Sequence, residues 1–465
     1  MKKKCIGLAI AAVAAAIMLL LPMPNGLDAA GRNTMILAIV FLILLMSEVM
    51  SSGVLCFLTL AAMPIIGVTK NFGATVGLGF SNPLLFFILA SFGISAAFVK
   101  VPLTRRILVK ILKTFGKDVR TMIFAVMVST ALVSSLISNI PTTAIFMVIG
   151  LSFLDMYSDS EEKNRTGKAF MIAIPIASMI GGMMTPAGSS LNLLAIGLLE
   201  QLTGETITFV QWMLVGIPLC AAMLPIAWAI IVKVYKPAEI PRETIIAFTN
   251  GEKSKLPSGM DRKEMAVIAI TLGMLSLWIL SSWVSAIEVS VVALVGCCLL
   301  FLPGIEVLSW KDFTSSVNWE VIFITGTVLC VGKSMVNNGV SDWLVAFYPA
   351  DIVMNTQLFM AMLALFVFLL LILIPVAPAL ITMLAGPFVL IAQTQGVSVK
   401  LAFLALGMCA ANCYLFPIDS VPLLTYGTGY YKMSDMPKSA ALIQICMVVL
   451  VALWLPIAGS LFGIA

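Results

Sequence analysis

Apolar residues fill the chain in long runs, and polar residues are confined to short gaps between them. Runs long enough to cross a bilayer as a helix fall near 5–22, 34–50, 51–68, 83–99, 168–203, 208–232, 264–283, 287–303, 319–340, 400–430 and 438–463. Their length and weak period-2 alternation exclude an outer-membrane barrel and predict an all-α polytopic membrane protein. Two further apolar stretches, 121–156 and 357–396, are broken in the middle. The breaks are Ser138-Asn139-Ile140-Pro141-Thr142-Thr143 and Pro375-Val376-Ala377-Pro378-Ala379. Each stretch has room for two helices of roughly 15–18 residues, short of a full span apiece. That predicts two re-entrant hairpins with tips facing protein or a cavity, because backbone without partners is not tolerated in lipid.

The order of elements repeats. Residues 34–236 and 264–465 each run through spans, a broken hairpin, a span interrupted by Pro and Gly, and a last helix. The interruptions are Thr185-Pro186-Ala187-Gly188-Ser189-Ser190-Leu191-Asn192 and Pro417-Ile418-Asp419-Ser420-Val421-Pro422. Four units follow: an N-terminal helix and loop (1–33), a first repeat with hairpin 121–156 (34–236), a polar cytoplasmic linker (237–263), and a second repeat with hairpin 357–396 (264–465). Lys2, Lys3 and Lys4 before the run Cys5–Leu21 resemble a signal peptide. The run is long for one, and no small-x-small site follows Pro22-Met23-Pro24, so it is read as an uncleaved first helix.

Charge tests this threading. With the N-terminus in the cytoplasm and eleven spans, nearly all of the 27 Lys and Arg fall on the cytoplasmic side. Only Arg32, Lys70 and Lys400 lie outside, and Lys333 sits within a span. The first hairpin then opens to the cytoplasm and the second to the outside, so the repeats are inverted and the C-terminus is extracytoplasmic. The setting is a bacterial inner membrane. Inverted repeats with broken helices at matching positions are the mark of an alternating-access carrier. Composition agrees: 61% of residues are hydrophobic and 11% charged, against about 25% charged in soluble domains. There is no histidine, and the nine cysteines lie almost all inside apolar runs without metal-knuckle spacing. Coupling must therefore use a metal cation on oxygen ligands or a carboxylate proton.

The first hairpin tip supplies Ser138, Asn139, Thr142 and Thr143. Their oxygens suit a hard cation such as Na⁺, and N–H groups at a helix start suit a carboxylate. The segment from Gly181 to Asn192 brings Thr185, Ser189, Ser190 and Asn192 to the same depth, with glycines permitting close approach. The alternatives are a polar kink satisfied by its neighbours at the tip and mere helix packing at the Gly-rich break. The second half is less polar, with Ala377, Pro378 and Ala379 at the tip and Thr382 a turn on. Its broken helix carries Asn412, Asp419, Ser420, Thr425 and Thr428. A carboxylate at that depth costs about 2.5–3.5 kcal/mol to insert and is usually functional, so Asp419 is a candidate cation ligand or proton site. The alternative is a structural acid paired with a residue such as Asn412. Glu48 and Glu320 are read as lying at membrane interfaces, and Lys333 either snorkels outward or meets an anionic substrate.

At these residues the chain resembles the divalent-anion:sodium symporter family, the di- and tricarboxylate carriers of the ion transporter superfamily. Ser47-Glu48, Ser81-Asn82-Pro83, Ser138-Asn139 and the loop Thr185–Asn192 resemble that family's motifs. So do Phe209-Val210-Gln211-Trp212-Met213, Ser309-Trp310-Lys311 and Gly429–Met436. The resemblance covers nearly the whole length. It implies a scaffold domain, a transport domain holding both hairpins, an elevator-type motion and a homodimer. It also implies Na⁺ at the hairpin tips and substrate carboxylates on the Ser-Asn-Thr side chains. From the residues and the resemblance together, the candidate substrate contacts are Ser138, Asn139, Thr185, Pro186, Gly188, Ser189, Ser190, Thr382 and Ser420. The candidate Na⁺ ligands are Ser138, Asn139, Thr142, Gly188, Asn192 and Asp419, the last as cation ligand or proton site. Three departures stand out. Ile140 replaces the first motif's Thr, Ala377-Pro378-Ala379 replaces the second motif, and Asp419-Ser420-Val421-Pro422 replaces the second loop, where Asp419 stands in as charged ligand or proton acceptor.

The expected activity is cation-coupled symport of small dianions, C4-dicarboxylates first. A sulfate or other inorganic-anion carrier, a proton-coupled carrier, and a Na⁺/H⁺ or arsenite-type transporter are the alternatives. Lipid and a small dianion are the expected partners, with no nucleic acid and no organic cofactor. A membrane enzyme would need a catalytic constellation, and none is visible.

Overall fold

A computed structural model describes every residue except 1, 24–25, 48, 285, 341–342, 344–353, 374–375 and 465. Glu48 and Pro375, both singled out above, lie outside the described residues. The described residues form 21 α-helices and no strand. In chain order they are α1 (Lys2–Leu20), α2 (Ala29–Met46), α3 (Ser52–Ile65), α4 (Phe72–Gly79), α5 (Pro83–Lys100), α6 (Leu103–Phe115) and α7 (Val119–Ser134). Then come α8 (Asn139–Leu154), α9 (Ser160–Gly182), α10 (Ser190–Thr203), α11 (Phe209–Tyr235), α12 (Arg242–Ser254), α13 (Arg262–Leu280) and α14 (Val289–Leu299). The remainder are α15 (Trp310–Ser316), α16 (Trp319–Asn337), α17 (Thr356–Leu373), α18 (Ala377–Thr394), α19 (Val399–Ala410), α20 (Ser420–Tyr426) and α21 (Pro437–Phe462). Seven of them, α2, α5, α11, α13, α16, α18 and α21, are long and apolar enough to cross a membrane.

Both broken stretches are pairs of helices. α7 stops at Ser134 and α8 starts at Asn139, and both pack on α9. α17 stops at Leu373 and α18 starts at Ala377, and both pack on α19. With 18 residues α18 is long enough to cross a membrane, longer than expected for a hairpin arm short of a full span. The interrupted spans are broken too, into α9 and α10 and into α19 and α20. Four helices appear where the hydrophobic pattern marks gaps or run ends: α4, α6, α12 and α15. The linker 237–263 is thus not a plain polar loop, because α12 occupies its middle. The second helix also starts earlier than expected, at Ala29, because the Asp28 carboxylate caps it by accepting from Gly31 N–H at 2.7 Å.

Helix packing is dense within two sets, which α16 joins through α10 and α18. α5 packs on α14 and α15, and α16 packs on α3 and α4. α10 packs on α18 and α19, and α20 packs on α8 and α9. α11 lies along α21. Burial follows this pattern. α9 is buried from Ala169 to Gly182 apart from no more than traces of exposure, as the central helix of its set must be.

On the side rich in Lys and Arg, ion pairs tie these elements together. Arg106 of α6 bonds Glu264 at the start of α13, and its guanidinium also donates to Pro257 O and Gly259 O. Arg105 meets Glu252 of α12 at 3.0 Å. Glu252 and Glu264 are almost fully buried, so these pairs hold α6 to the linker: removing Arg106 strands the Glu264 carboxylate, whereas Glu252 keeps Lys255 at 2.5 Å. Asp435, just before α21, bonds Lys438 at 2.8 Å and Lys168 of α9 at 3.3 Å, and accepts from Lys432 N–H at 3.0 Å. Burial alone would raise its pKa, but Lys438, the Lys432 amide and Lys168 together hold it down at about 2. A depressed carboxylate contributes stability above its unfolded pKa and loses it as pH falls through the folded value. The thermal-stability gap between wild type and Asp435→Asn is therefore expected to be full at neutral pH and to close between about pH 4 and pH 2. A gap independent of pH across that window would contradict the assignment.

Candidate functional site

The site forms where the α7–α8 break meets the α9–α10 break. α7 ends on Ser134 and Ser135, and α8 opens at Asn139 with Ser138 in the capping position but making no side-chain cap. The Ser134 hydroxyl donates to Asn139 Oδ1 at 2.7 Å and lies 3.1 Å from Ser178 Oγ of α9. Ser178 in turn donates to Asn139 O at 3.0 Å. Asn139 is thus held by its side chain and by its carbonyl. Ser138 N–H donates to Ser95 Oγ of α5 at 3.3 Å.

The second break is just as well tied. After Gly182 the chain unwinds, makes one short 3₁₀ turn at Pro186–Gly188 and resumes at Ser190. Thr185 donates to Ser135 O at 2.6 Å, joining the two breaks, and its hydroxyl accepts from Gly188 N–H at 3.0 Å. Ser189 caps α10, accepting from Leu191 N–H at 3.3 Å. Asn192 reaches back from the first turn of α10 to donate to Gly182 O at 2.8 Å and Thr185 O at 2.9 Å. Trp212, fully buried on α11, donates to Met183 O at 2.9 Å. These donors satisfy carbonyls that the end of α9 leaves without partners. Two oxygens stay orphaned: Asn192 Oδ1 and Thr143 Oγ1 are buried without a hydrogen-bond partner. Such groups are rare and call for an explanation.

Close approach of backbones makes this geometry possible. A Cβ on Gly182 would lie 2.3 Å from Asn139 Oδ1, and one on Gly188 would lie 2.5 Å from Gly182 O. A Cβ on Gly181 would lie 2.3 Å from Ala131 O.

The structure therefore brings Ser138, Asn139, Thr142, Thr185, Gly188, Ser189 and Asn192 into one neighbourhood, with Pro186 and Ser190 on its loop. Thr142 is spent locally, donating to Ser138 O at 3.0 Å. Thr382 and Ser420 belong to the second half. Thr382 donates to Pro378 O at 2.8 Å within α18, and Ser420 is exposed. Asp419 caps α20, accepting from Val421 N–H at 3.0 Å, and Ser420 Oγ is its other neighbour at 3.5 Å. Asn412 is not its partner. That side chain donates to Met408 O at 2.7 Å and approaches Met183 Sδ at 3.8 Å, so the second break touches the first. Asn412 Oδ1 is a third buried orphan.

Sequence reading passed over Ser134, Ser178, Ser95 and the role of Trp212. The signal for Ser134 and Ser178 was spacing, since each lies about one helical turn before a break. Trp212 carried a different signal, a buried indole N–H that needs an acceptor. No group of three or more Cys, Asp or Glu able to hold a metal occurs among the described residues. A cation in this neighbourhood would rest on neutral oxygens.

A cavity of about 810 Å³ adjoins the site, reaching it at Pro186. Its walls come from α10, the start of α5, the loops at 206–208 and 287–290, and Lys333 of α16.

Unwound helices meeting at buried oxygens beside a large cavity, in an apolar multi-span chain, are the construction of a membrane transporter. The family described as "Sodium:sulfate symporter transmembrane region" matches residues 2–463, and the chain belongs to it. Among its relatives, the sodium-dependent dicarboxylate transporter SdcS of Staphylococcus saprophyticus is 25% identical over 421 residues, covering 82% of this chain and 78% of that protein. The sodium-dependent high-affinity dicarboxylate transporter 3 of Caenorhabditis elegans is 23% identical over 460 residues, covering 88% of this chain and 80% of that protein. The citrate/succinate antiporter of Escherichia coli K12 is 25% identical over 271 residues, 57% of this chain and 55% of its own. The solved structure of Neisseria gonorrhoeae MtrF matches with a TM-score of 0.59 at 12% identity, covering 93% of this chain and 96% of that one, a likeness of fold. The chain is a transporter and not an enzyme.

Proposed function

We propose that the chain couples Na⁺ to the symport of small organic dianions, C4-dicarboxylates first, by alternating access in the bacterial inner membrane. The observation that carries this reading is the meeting of two broken helices at one buried polar cluster. The α8 N-terminus lacks a side-chain cap, so its first N–H groups and its positive dipole end suit a substrate carboxylate. Asn192 Oδ1 and Thr143 Oγ1 lack donors, and an oxygen without a donor suits a hard cation. Ser138, Asn139 and the Gly188 backbone belong to the same tied cluster as Asn192. Relatives named as sodium-dependent dicarboxylate transporters support both the ion and the anion class.

The reciprocal packing supports inverted repeats. Matching the helices after residue 34 in order to those after 264, the contact of α5 with α14 and α15 has its counterpart in α16 with α3 and α4. That of α10 with α18 and α19 has its counterpart in α20 with α8 and α9. On this reading α2–α5 and α13–α16 form the scaffold, and α7–α11 with α17–α21 form an elevator-type transport domain. α7–α8 and α17–α18 are its hairpins. The N-terminus is cytoplasmic, the C-terminus is outside, and the chain pairs as a homodimer.

A second reading has one observation in its favour. The second hairpin tip is Ala377-Pro378-Ala379, with no side-chain oxygen, and among the described residues the carboxylate at its facing break is Asp419. That favours a proton at the second ion site. Counterflow in proteoliposomes of the full chain, with labelled succinate, malate, citrate and sulfate, tests both. Exchange of succinate and malate that requires Na⁺ is expected. Exchange of sulfate alone, or dicarboxylate exchange indifferent to Na⁺, would overturn the Na⁺–dicarboxylate reading.

A further inference from the structure

We infer that Lys333 is an electrostatic collector that draws the dianion into the site from the extracytoplasmic side and sets the preference for dianions over monoanions. The inference rests on the dianion-transport reading above. The 810 Å³ cavity is bounded by the loops at 206–208 and 287–290, which the distribution of Lys and Arg puts outside, and it reaches the unwound segment at Pro186. Its charged lining residues are Glu200, Glu288 and Lys333. The two carboxylates are exposed and Lys333 is half-buried.

Lys333 stands inside a helix long and apolar enough to span a membrane, where a lysine is costly. Among the described residues no ion pair or hydrogen bond engages it. Its side chain borders the cavity, so it is not snorkelling along a lipid-facing surface. One turn before it, Gln201 of α10 donates to Leu329 O at 3.1 Å and to Leu78 O at 3.4 Å, which fixes the wall beneath it. Gln201 Oε1 is buried without a partner.

Charge decides the role. The exposed carboxylates favour cations and oppose a dianion, but they face water and are screened. Lys333 is more enclosed, so its field in the cavity is less screened, and focusing in a low-dielectric cleft strengthens it. Its attraction for a dianion is twice that for a monoanion at the same distance. It sits on α16, which the reading above assigns to the scaffold, so it does not travel with the substrate. It therefore acts on outside loading alone.

The test measures succinate influx and efflux by the full chain in proteoliposomes of known orientation, at low and high ionic strength. For Lys333→Gln, the KM on the cavity side is expected to rise about 3- to 10-fold. kcat and the cytoplasmic-side KM are expected to stay unchanged. The wild-type KM on the cavity side is expected to rise with ionic strength, a dependence that Lys333→Gln removes and Lys333→Arg retains. A lost packing contact would instead shift both sides or fail to be rescued by Arg. Equal effects on both faces, or an unchanged cavity-side KM while the wild type transports succinate, would overturn the inference. Should Lys333→Gln not fold, a wild-type KM on the cavity side that ignores ionic strength overturns it as well. Absence of any dianion transport by the wild type overturns the functional reading first, and this inference with it.

Discussion

Gly182→Ala is expected to lower the rate of succinate counterflow about 100-fold. The added Cβ would stand 2.3 Å from Asn139 Oδ1 and 3.0 Å from its Cγ. A flexible surface side chain would swing aside, but Asn139 has nowhere to go. Its amide oxygen holds the Ser134 hydroxyl, its carbonyl holds Ser178, and the residue is 7% exposed. Either Asn139 is pushed off its partners or α8 moves away from α9. Overpacking of this kind costs about 1–3 kcal/mol, so the protein should still fold with a lowered melting temperature. The larger effect falls on transport, because the displaced group is one that the site positions. Gly77→Ala is the control, since a Cβ there meets nothing within 4 Å. Wild-type counterflow by Gly182→Ala would mean that the contact with Asn139 is dispensable.

Much of the fold was legible because lipid simplifies the problem. Apolar runs, broken hairpins and charge asymmetry located the principal helices and both breaks. Two kinds of element escaped: short ones such as the eight-residue α4, and polar-faced ones. α6, with Arg105, Lys110 and Lys113 among buried Leu108, Val109 and Leu112, is amphipathic, and α12 is polar; hydropathy averages such segments into loops. Other motifs were visible but their meaning was not. Asn82 caps α5, Thr208 and Gln211 form a capping box on α11, and Ser309 and Asp312 form one on α15. These stretches start helices in the right places, and Ser81, Asn82, Thr208 and Phe209 also line the cavity beside the site. Tyr430 fills the space beside Gly167, whose Cβ would lie 2.1 Å from Tyr430 Cδ1.

The candidate site was half legible. Residues that interrupt an apolar run announce themselves, and Ser138, Asn139, Thr185 and Asn192 did so. Ser134 and Ser178 did not, because a single serine in an apolar helix bonds its own i−4 carbonyl as a rule, as Ser129 does with Ala125 O. Only the crossing of α7 on α9 turns these two toward Asn139. The two halves have also diverged in kind. The first break is held by a web of neutral hydroxyls and amides. The second, at 411–419, relies on Asn412, on Gln444 donating to Asn412 O at 3.5 Å, and on the Asp419 cap.

That asymmetry makes Asp419→Asn the sharpest test of ion coupling. The substitution separates two roles of one side chain. Asparagine caps a helix about as well as aspartate, so the bond to Val421 N–H should survive and the melting temperature should hold. Asp419→Ala removes the cap as well and should cost about 1 kcal/mol of stability. What Asn cannot supply is the negative charge. If Asp419 ligates a cation, losing a charge-assisted contact of about 1.5–3 kcal/mol raises the KM for Na⁺ roughly 10- to 100-fold at unchanged pH dependence. If it carries a proton, the KM for Na⁺ holds while the pH dependence of uptake flattens, because Asn has no proton to release. Uptake measured across both Na⁺ and pH separates the two. Unchanged rate, KM and pH profile would reduce Asp419 to the cap of α20 and leave the second hairpin without an ion of its own.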